Sequence, residues 1–213
     1  MEMNPFNISH RDRDYTHQVT QEERDVLGRF GPEYYRSPYV HGYQRYEYNG
    51  SYTEGAKELV DFYGLEDRAR ILDVGCACGF LLHDMMMVNG TLQCYGVDIS
   101  EYALTNAMST LHGRLMRSSA AALPFNDSSF DLVVSMDVLG AMHWADSRRA
   151  VREITRVGRV HKFLQIESYT TDEERRNFIN WEPLTNSQRS VDEWKELFRE
   201  EGYDGDYYWK IFR

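Results

Sequence analysis

The stretch Ile71-Leu72-Asp73-Val74-Gly75-Cys76-Ala77-Cys78-Gly79-Phe80-Leu81-Leu82 constrains this chain more than any other. Ile71 to Val74 is a short apolar run with the length of a buried strand. It breaks into a turn of small residues, Gly75 to Gly79, and the turn opens an apolar helix from Phe80 to Met87. A strand, a tight glycine turn and a helix N-terminus make a nucleotide-binding corner. Glycine lets the backbone approach a ligand, and the first helical turn carries N–H groups with no partner inside the helix.

The rest of the chain repeats that alternation. Apolar residues at 56, 59, 60 and 63 predict a helix ahead of the corner. Gln93 to Val97 predicts a second strand ending at Asp98, and Ser100 is placed to cap a helix over Glu101 to Leu111. Arg114 to Arg117 reads as a short third strand, Phe130 to Met136 as a buried fourth, and Lys162 to Tyr169 as a fifth. Asp146 to Val157, Thr171 to Ile179 and Val191 to Glu201 read as helices, and Tyr207 to Phe212 as a last strand of period two. Strands and helices alternating at this pitch predict an α/β fold, a mostly parallel sheet of six or seven strands with helices on both faces.

The same corner serves dinucleotides, so the ligand is decided by detail. The dinucleotide pattern G-x-G-x-x-G falls here on Gly75, Ala77 and Phe80, and phenylalanine at the third place blocks the close helix-to-strand packing that glycine permits. Asp73 ends the strand beneath the turn, where a carboxylate repels a pyrophosphate and attracts an ammonium group. Asp98 ends the second strand, 19 residues beyond Gly79, where a carboxylate accepts hydrogen bonds from both ribose hydroxyls. The ligand implied is nucleoside-like, cationic and free of phosphate, which disfavours NAD.

Three stretches together, Ile71 to Gly79, Gly96-Val97-Asp98-Ile99-Ser100, and Leu123-Pro124-Phe125 with Phe130 to Ser135, resemble the class I S-adenosylmethionine-dependent methyltransferases. Within them the chain is similar to small bacterial enzymes with a tyrosine-rich Gly-Tyr-x-x-Tyr segment, here Gly42-Tyr43 to Tyr46, ahead of the glycine turn. The resemblance implies a Rossmann-like fold, S-adenosyl-L-methionine as cofactor and S-adenosyl-L-homocysteine as product. It puts Asp73, Gly75, Ala77 and Gly79 under the methionine part and Asp98 on the ribose. It puts Ile99 on the adenine, Ser119 and Ala120 beside the adenine amino group, Met136 near the sulfonium, and Tyr43 in the cofactor site. Three positions depart from the family pattern. Ala77 replaces the middle glycine, which a methyl group satisfies where φ is negative. Ser119 replaces an aspartate, and Arg156 to Lys162 lacks the usual Lys-Pro-Gly-Gly turn.

A methyl acceptor that is a hydroxyl needs a base, and an amine needs only to arrive unprotonated. His143, after the fourth strand, and Glu167, at the end of the fifth, are the candidate catalytic residues; a packing or capping role is the alternative for His143. Asp137 with Glu167 offers oxygen ligands for Mg²⁺, but the Asp-Asn pair of catechol-type enzymes is missing and no metal is expected. Seven tyrosines between Tyr34 and Tyr52 read as an aromatic belt packing the N-terminal segment, or as a cap over the active site.

Residues 1–55 are therefore read as a cap and 56–213 as one methyltransferase domain. A net charge of −10 disfavours nucleic acid as partner. No apolar run has the length of a membrane span, and Cys76, Cys78 and Cys94 suggest reduced thiols in a cytoplasmic protein. The expected acceptor is a small molecule, a sugar or secondary metabolite methylated on oxygen or nitrogen. The alternatives are a non-catalytic S-adenosylmethionine-binding or regulatory subunit, and a methyltransferase acting on RNA or protein. Oligomeric state is not legible.

Overall fold

Side chains along each buried strand alternate between two helical layers, as a parallel sheet covered on both faces requires. The computed structural model describes residues 20–36, 46–181 and 184–212. Its strands are β1 (Arg70–Val74), β2 (Gln93–Asp98), β3 (Leu115–Arg117), β4 (Phe130–Met136), β5 (Gly158–Ser168) and β6 (Asp206–Ile211). Its helices are α1 (Gln21–Leu27), α2 (Pro32–Tyr35), α3 (Thr53–Phe62), α4 (Phe80–Val88), α5 (Glu101–Thr105), α6 (Trp144–Val157), α7 (Asp172–Trp181) and α8 (Val191–Glu201). The sheet order is β3-β2-β1-β4-β5-β6, and every pairing is parallel. This is the expected α/β Rossmann-like sheet, with six strands. Chain direction through the sheet reverses between β1 and β4, which opens a crevice at their carboxyl ends.

On one face Ile71, Leu132, Val134 and Phe163 pack with Leu59 of α3 and Leu81, Leu82 and Met85 of α4. On the other, Leu72, Val133, Leu164 and Ile166 pack with Val151 and Ile154 of α6 and Trp194 and Leu197 of α8. Each leucine-sized side chain buried this way contributes about 1.5–3 kcal/mol. Among the described residues, no helix is long and apolar enough to cross a membrane.

The structure departs from the sequence reading at three places, each for a tertiary or capping reason. The helix predicted over 101–111 stops at Thr105, and a 3-10 turn, Ser109–Leu111, follows. The Thr105 hydroxyl and Asn106 amide bond the carbonyl of Tyr102, and Met108 N–H reaches the Cys78 carbonyl at 3.0 Å, which draws the chain off the helical path. Thr20 and Glu23 form a capping box for α1, α1 ends at Leu27, and Pro32 begins α2 at a position where its missing N–H costs nothing. No turn separates α6 from β5, because the helix passes at Gly158 directly into the strand, which starts four residues earlier than predicted. Ala77, finally, has φ of +46°, so the condition of a negative φ fails there.

Candidate active site

The corner is built from internal hydrogen bonds. Gly75 N–H and Cys76 N–H both donate to the Val97 carbonyl, at 2.7 and 3.0 Å. Ala77 N–H donates to Asp98 Oδ2 at 2.8 Å, and Gly79 N–H donates to the Cys76 carbonyl. Four amides of the turn are thus engaged within the protein, so they do not present the nest of free N–H groups that a pyrophosphate requires. Gly75 and Gly79 have φ of +86° and +77°. A Cβ on Gly75 would lie 2.1 Å from a Val138 methyl, and one on Gly79 would lie 2.3 Å from a Leu111 methyl. Both glycines are required twice over, by backbone conformation and by space.

Asp98 also accepts from Ser100 N–H, through Oδ1 at 2.7 Å. Burial raises its pKa, and the Ser100 and Ala77 amides partly offset this. Each oxygen keeps a lone pair for a ligand hydroxyl. Asp73 is 4% exposed, and no described residue hydrogen-bonds its carboxylate. Burial, with a smaller contribution from the Asp98 charge, pushes its pKa up to about 7.

Above the corner lies a cavity of about 300 Å³, within the range of small-molecule sites. Gly75, Ala77, Asp98, Ile99, Ser119, Ala120, Met136 and His143 all line it. These residues come from four separate stretches, and the fold brings them to one chamber. Asp73, Gly79 and Glu167 do not line it; Tyr43 lies outside the described residues. The Ser119 hydroxyl accepts from Ala121 N–H at 3.2 Å, and so shapes its own turn. His143 is the N-cap residue of α6 but makes no side-chain cap, which leaves the imidazole to the cavity.

The roof comes from the N-terminal aromatics. Phe30, Tyr34 and Tyr35 line the cavity. Tyr35 stacks on Tyr102 of α5, Tyr46 stacks on Phe80 of α4, and Ser100 Oγ donates to the Phe30 carbonyl at 2.6 Å. The Tyr48 hydroxyl donates to buried Asp84 at 2.6 Å. Of the described aromatics, Tyr46 and Tyr48 pack on the domain, while Phe30, Tyr34 and Tyr35 face the cavity; Tyr39 and Tyr43 lie outside the described residues.

A second polar group joins Asp137 of the lining to residues that do not line the cavity. Lys210 of β6 donates to Asp137 Oδ2 at 2.9 Å and to Glu167 Oε1 at 3.1 Å. Burial pulls the Lys210 pKa down, but the charges of Asp137 and Glu167 outweigh it and hold the ammonium well above its usual range. The two carboxylates weighed from sequence as oxygen ligands for a metal are bridged by this ammonium instead. Gln165 Nε2 also donates to Asp137 Oδ2, at 3.1 Å. Lys210 is the residue that sequence reasoning missed. Its signal was a lone cation in the period-two aromatic run Tyr207-Tyr208-Trp209-Lys210. Asn186, also on the lining, gave no signal. It is brought there by Asn186 N–H and Nδ2 bonds to the carbonyls of Gly140 and Ala141.

Residues 72–164 match a family described as a methyltransferase domain. The Bacillus subtilis protein named uncharacterized methyltransferase YcgJ is 28% identical over 178 residues, covering 76% of this chain and 68% of that one. An uncharacterized protein of Haemophilus influenzae is 26% identical over 170 residues, covering 70% of this chain and 65% of that one. The crystal structure of YcgJ superimposes with a TM-score of 0.56 at 25% identity, over 68% of this chain and 66% of that chain. The matched region thus spans about two thirds of the length of these relatives.

Proposed function

We propose that the chain is a class I S-adenosylmethionine-dependent methyltransferase, as the matched methyltransferase domain and the likeness to YcgJ support, and that it transfers the methyl group of S-adenosylmethionine to a small molecule. The observation that carries the reading is the corner itself. Its amides are engaged by the end of β2, and carboxylates rather than amides are offered to the ligand. Such a cradle fits a cationic nucleoside and repels a pyrophosphate.

Asp98 is positioned to hold the ribose hydroxyls, with Ile99, Ser119 and Ala120 around the adenine. Gly75 and Ala77, with Asp73 behind them, fit the methionine part, and Met136 lies on the lining where the sulfonium belongs. The bound cofactor supplies a methyl carbon on a sulfonium, open to in-line displacement. The protein's own part is to align the acceptor, exclude water and take a proton where the acceptor carries one. His143 has the position for that base, because its imidazole faces the cavity without a capping duty. Glu167 serves at one remove, by holding Lys210 in place. Phe30, Tyr34 and Tyr35 act as a cap over the bound molecules. No lysine or arginine lines the cavity among the described residues, which favours a small acceptor over RNA.

Calorimetric titration tests the cofactor half: one molecule of S-adenosylhomocysteine per chain is expected. Labelled methyl transfer to a panel of amines and alcohols tests the rest. His143→Ala should lower turnover by about 10²–10⁴-fold while leaving cofactor affinity within about threefold. Equal losses in both would make His143 a structural residue. Binding without transfer to any acceptor would instead favour a regulatory subunit.

A further inference from the structure

The aromatic rings on the cavity lining come from a segment whose fixed points sit at the β2 end of the sheet. Ser100, the N-cap of α5, donates its hydroxyl to the Phe30 carbonyl at 2.6 Å. Tyr35 stacks on Tyr102 of α5 with ring centroids 5.6 Å apart. Phe30 and Tyr34 stand edge-on to one another at 5.0 Å, and both pack against the cluster of Tyr35, Ala77, Cys78, Phe80 and Ala103. Burial raises the Tyr35 pKa well above its usual value, and the nearby charge of Asp98 adds to this, so the phenol is a neutral support. The roof is thus fastened beside Asp98 and Ile99.

Two further features mark a ligand surface. Phe30 is held at φ +51°, a left-handed conformation that a bulky side chain rarely adopts. Its N–H donates to the Leu27 carbonyl at 3.0 Å and its carbonyl accepts from Ser100, so the backbone is tied on both sides. Backbone strain kept on a lining residue is characteristic of ligand sites. The second feature is Ile99, which lines the cavity and is 49% exposed although large and aliphatic. Ile99 and the half-buried rings of Phe30 and Tyr34 therefore offer apolar faces to the cavity next to the Asp98 carboxylate. A nucleoside needs that combination, since its base stacks on apolar or aromatic faces while its ribose hydroxyls seek a charged acceptor.

Resting on the methyltransferase reading, we propose that Phe30 and Tyr34 supply the aromatic face of a purine slot whose other face is Ile99. The N-terminal aromatics then bind the cofactor's base and not the methyl acceptor. Tyr35 has the positioning role: it meets Tyr34 edge-on at 5.2 Å and rests on Tyr102. Phe30 and Tyr34 lie outside residues 72–164, so this face of the slot comes from beyond the stretch matched to the methyltransferase domain. The acceptor is left the lining around Met142, His143, Asp146 and Asn186.

Phe30→Gly tests the slot by removing the ring from a backbone conformation that glycine adopts freely. By calorimetry it should weaken S-adenosylhomocysteine and adenosine alike, each by about tenfold or more, the scale of one lost base-aromatic stack. A second readout needs no variant. In wild-type protein deuterated except at phenylalanine, nuclear Overhauser effects are expected between ring protons and adenine H2 or H8 of bound S-adenosylhomocysteine. Among the described residues, Phe30 is the one phenylalanine on the lining. A wild-type chain that binds S-adenosylhomocysteine without those effects overturns the proposal and leaves the methyltransferase reading intact. Unchanged S-adenosylhomocysteine affinity in Phe30→Gly does the same. So does a loss for S-adenosylhomocysteine with none for adenosine, since the ring then serves the methionine part. A wild-type chain that ignores S-adenosylhomocysteine yet shows the effects to bound adenosine breaks the methyltransferase reading and leaves the purine slot standing.

Discussion

The two ends of the cavity are built on opposite plans. Where β1 meets β2, the polar groups of the turn answer one another, with the Asp73 carboxylate the exception: Val97 and Asp98 take up the amides of Gly75, Cys76 and Ala77, and Ser100 N–H takes the other oxygen of Asp98. Where β4 meets β5 and β6, a buried ammonium is shared by two carboxylates, and acceptor atoms of Asp137, Gln165 and Thr185 are unmatched. The first end is organised before any ligand arrives. The second is organised around the buried ammonium of Lys210. A site that must hold one invariant cofactor gains from the first plan, because preorganised groups lose little entropy on binding.

Substitutions can break this contrast, and the largest effect is expected at the preorganised end. Gly75→Ala adds a methyl in contact with Val138 at a φ of +86°, and strain and overpacking together should cost about 2–4 kcal/mol in urea unfolding. A loss below about 1 kcal/mol would mean that the turn is softer than its hydrogen bonds imply. Asp98→Ala comes next. It should weaken S-adenosylhomocysteine by about 1.5–3 kcal/mol, the scale of hydrogen bonds to a charged group, and unchanged affinity by calorimetry would place the ribose elsewhere.

Proton linkage sharpens the contrast further. Asp73 titrates near 7 in the folded chain because it is buried without a hydrogen bond and stands near Asp98. Its folded pKa lies above the unfolded value of about 3.9. Its contribution to stability is therefore complete below pH 4 and is lost as the pH rises toward and through 7. The ligand-free chain should lose stability over that window, and Asp73→Asn should flatten the slope. A cationic ligand draws the Asp73 pKa down, so its binding near pH 7 should release a proton. Calorimetry in two buffers of different ionisation enthalpy would detect that release, and proton uptake would contradict it. The smallest effect is expected from Ala77→Gly. Relief of the +46° φ opposes the greater freedom of glycine in the unfolded chain, so the variant should be equal to wild type or up to about 1 kcal/mol more stable. A clear loss of stability would show that the Ala77 methyl has a packing role outweighing the strain.

How much of this was readable in advance follows the same division. The corner was legible because each of its parts is local: a strand, a turn and a helix in sequence, with Asp98 ending the next strand. Ser100 as a cap was legible for the same reason, and the structure has its hydroxyl accepting from Ala103 N–H. The early end of α5 was not legible, because it depends on a bond from Met108 to Cys78, 30 residues away. Glu167 could be nominated from its place at a strand end, but its engagement by Lys210 could not, since the two residues meet only when β6 pairs with β5.

The sequence by itself determined the layer order and the character of the nucleotide corner, because strand periodicity, glycine spacing and a strand-terminal aspartate act over a few residues or one βαβ unit. Only the tertiary structure decided the other half of the cavity. It carried Lys210 to Asp137 and Glu167 and Asn186 onto the wall, and it turned Ala77 and Asp137 to positive φ. Those outcomes depend on contacts between elements far apart in the chain, and no local pattern encodes the distance between two strand ends.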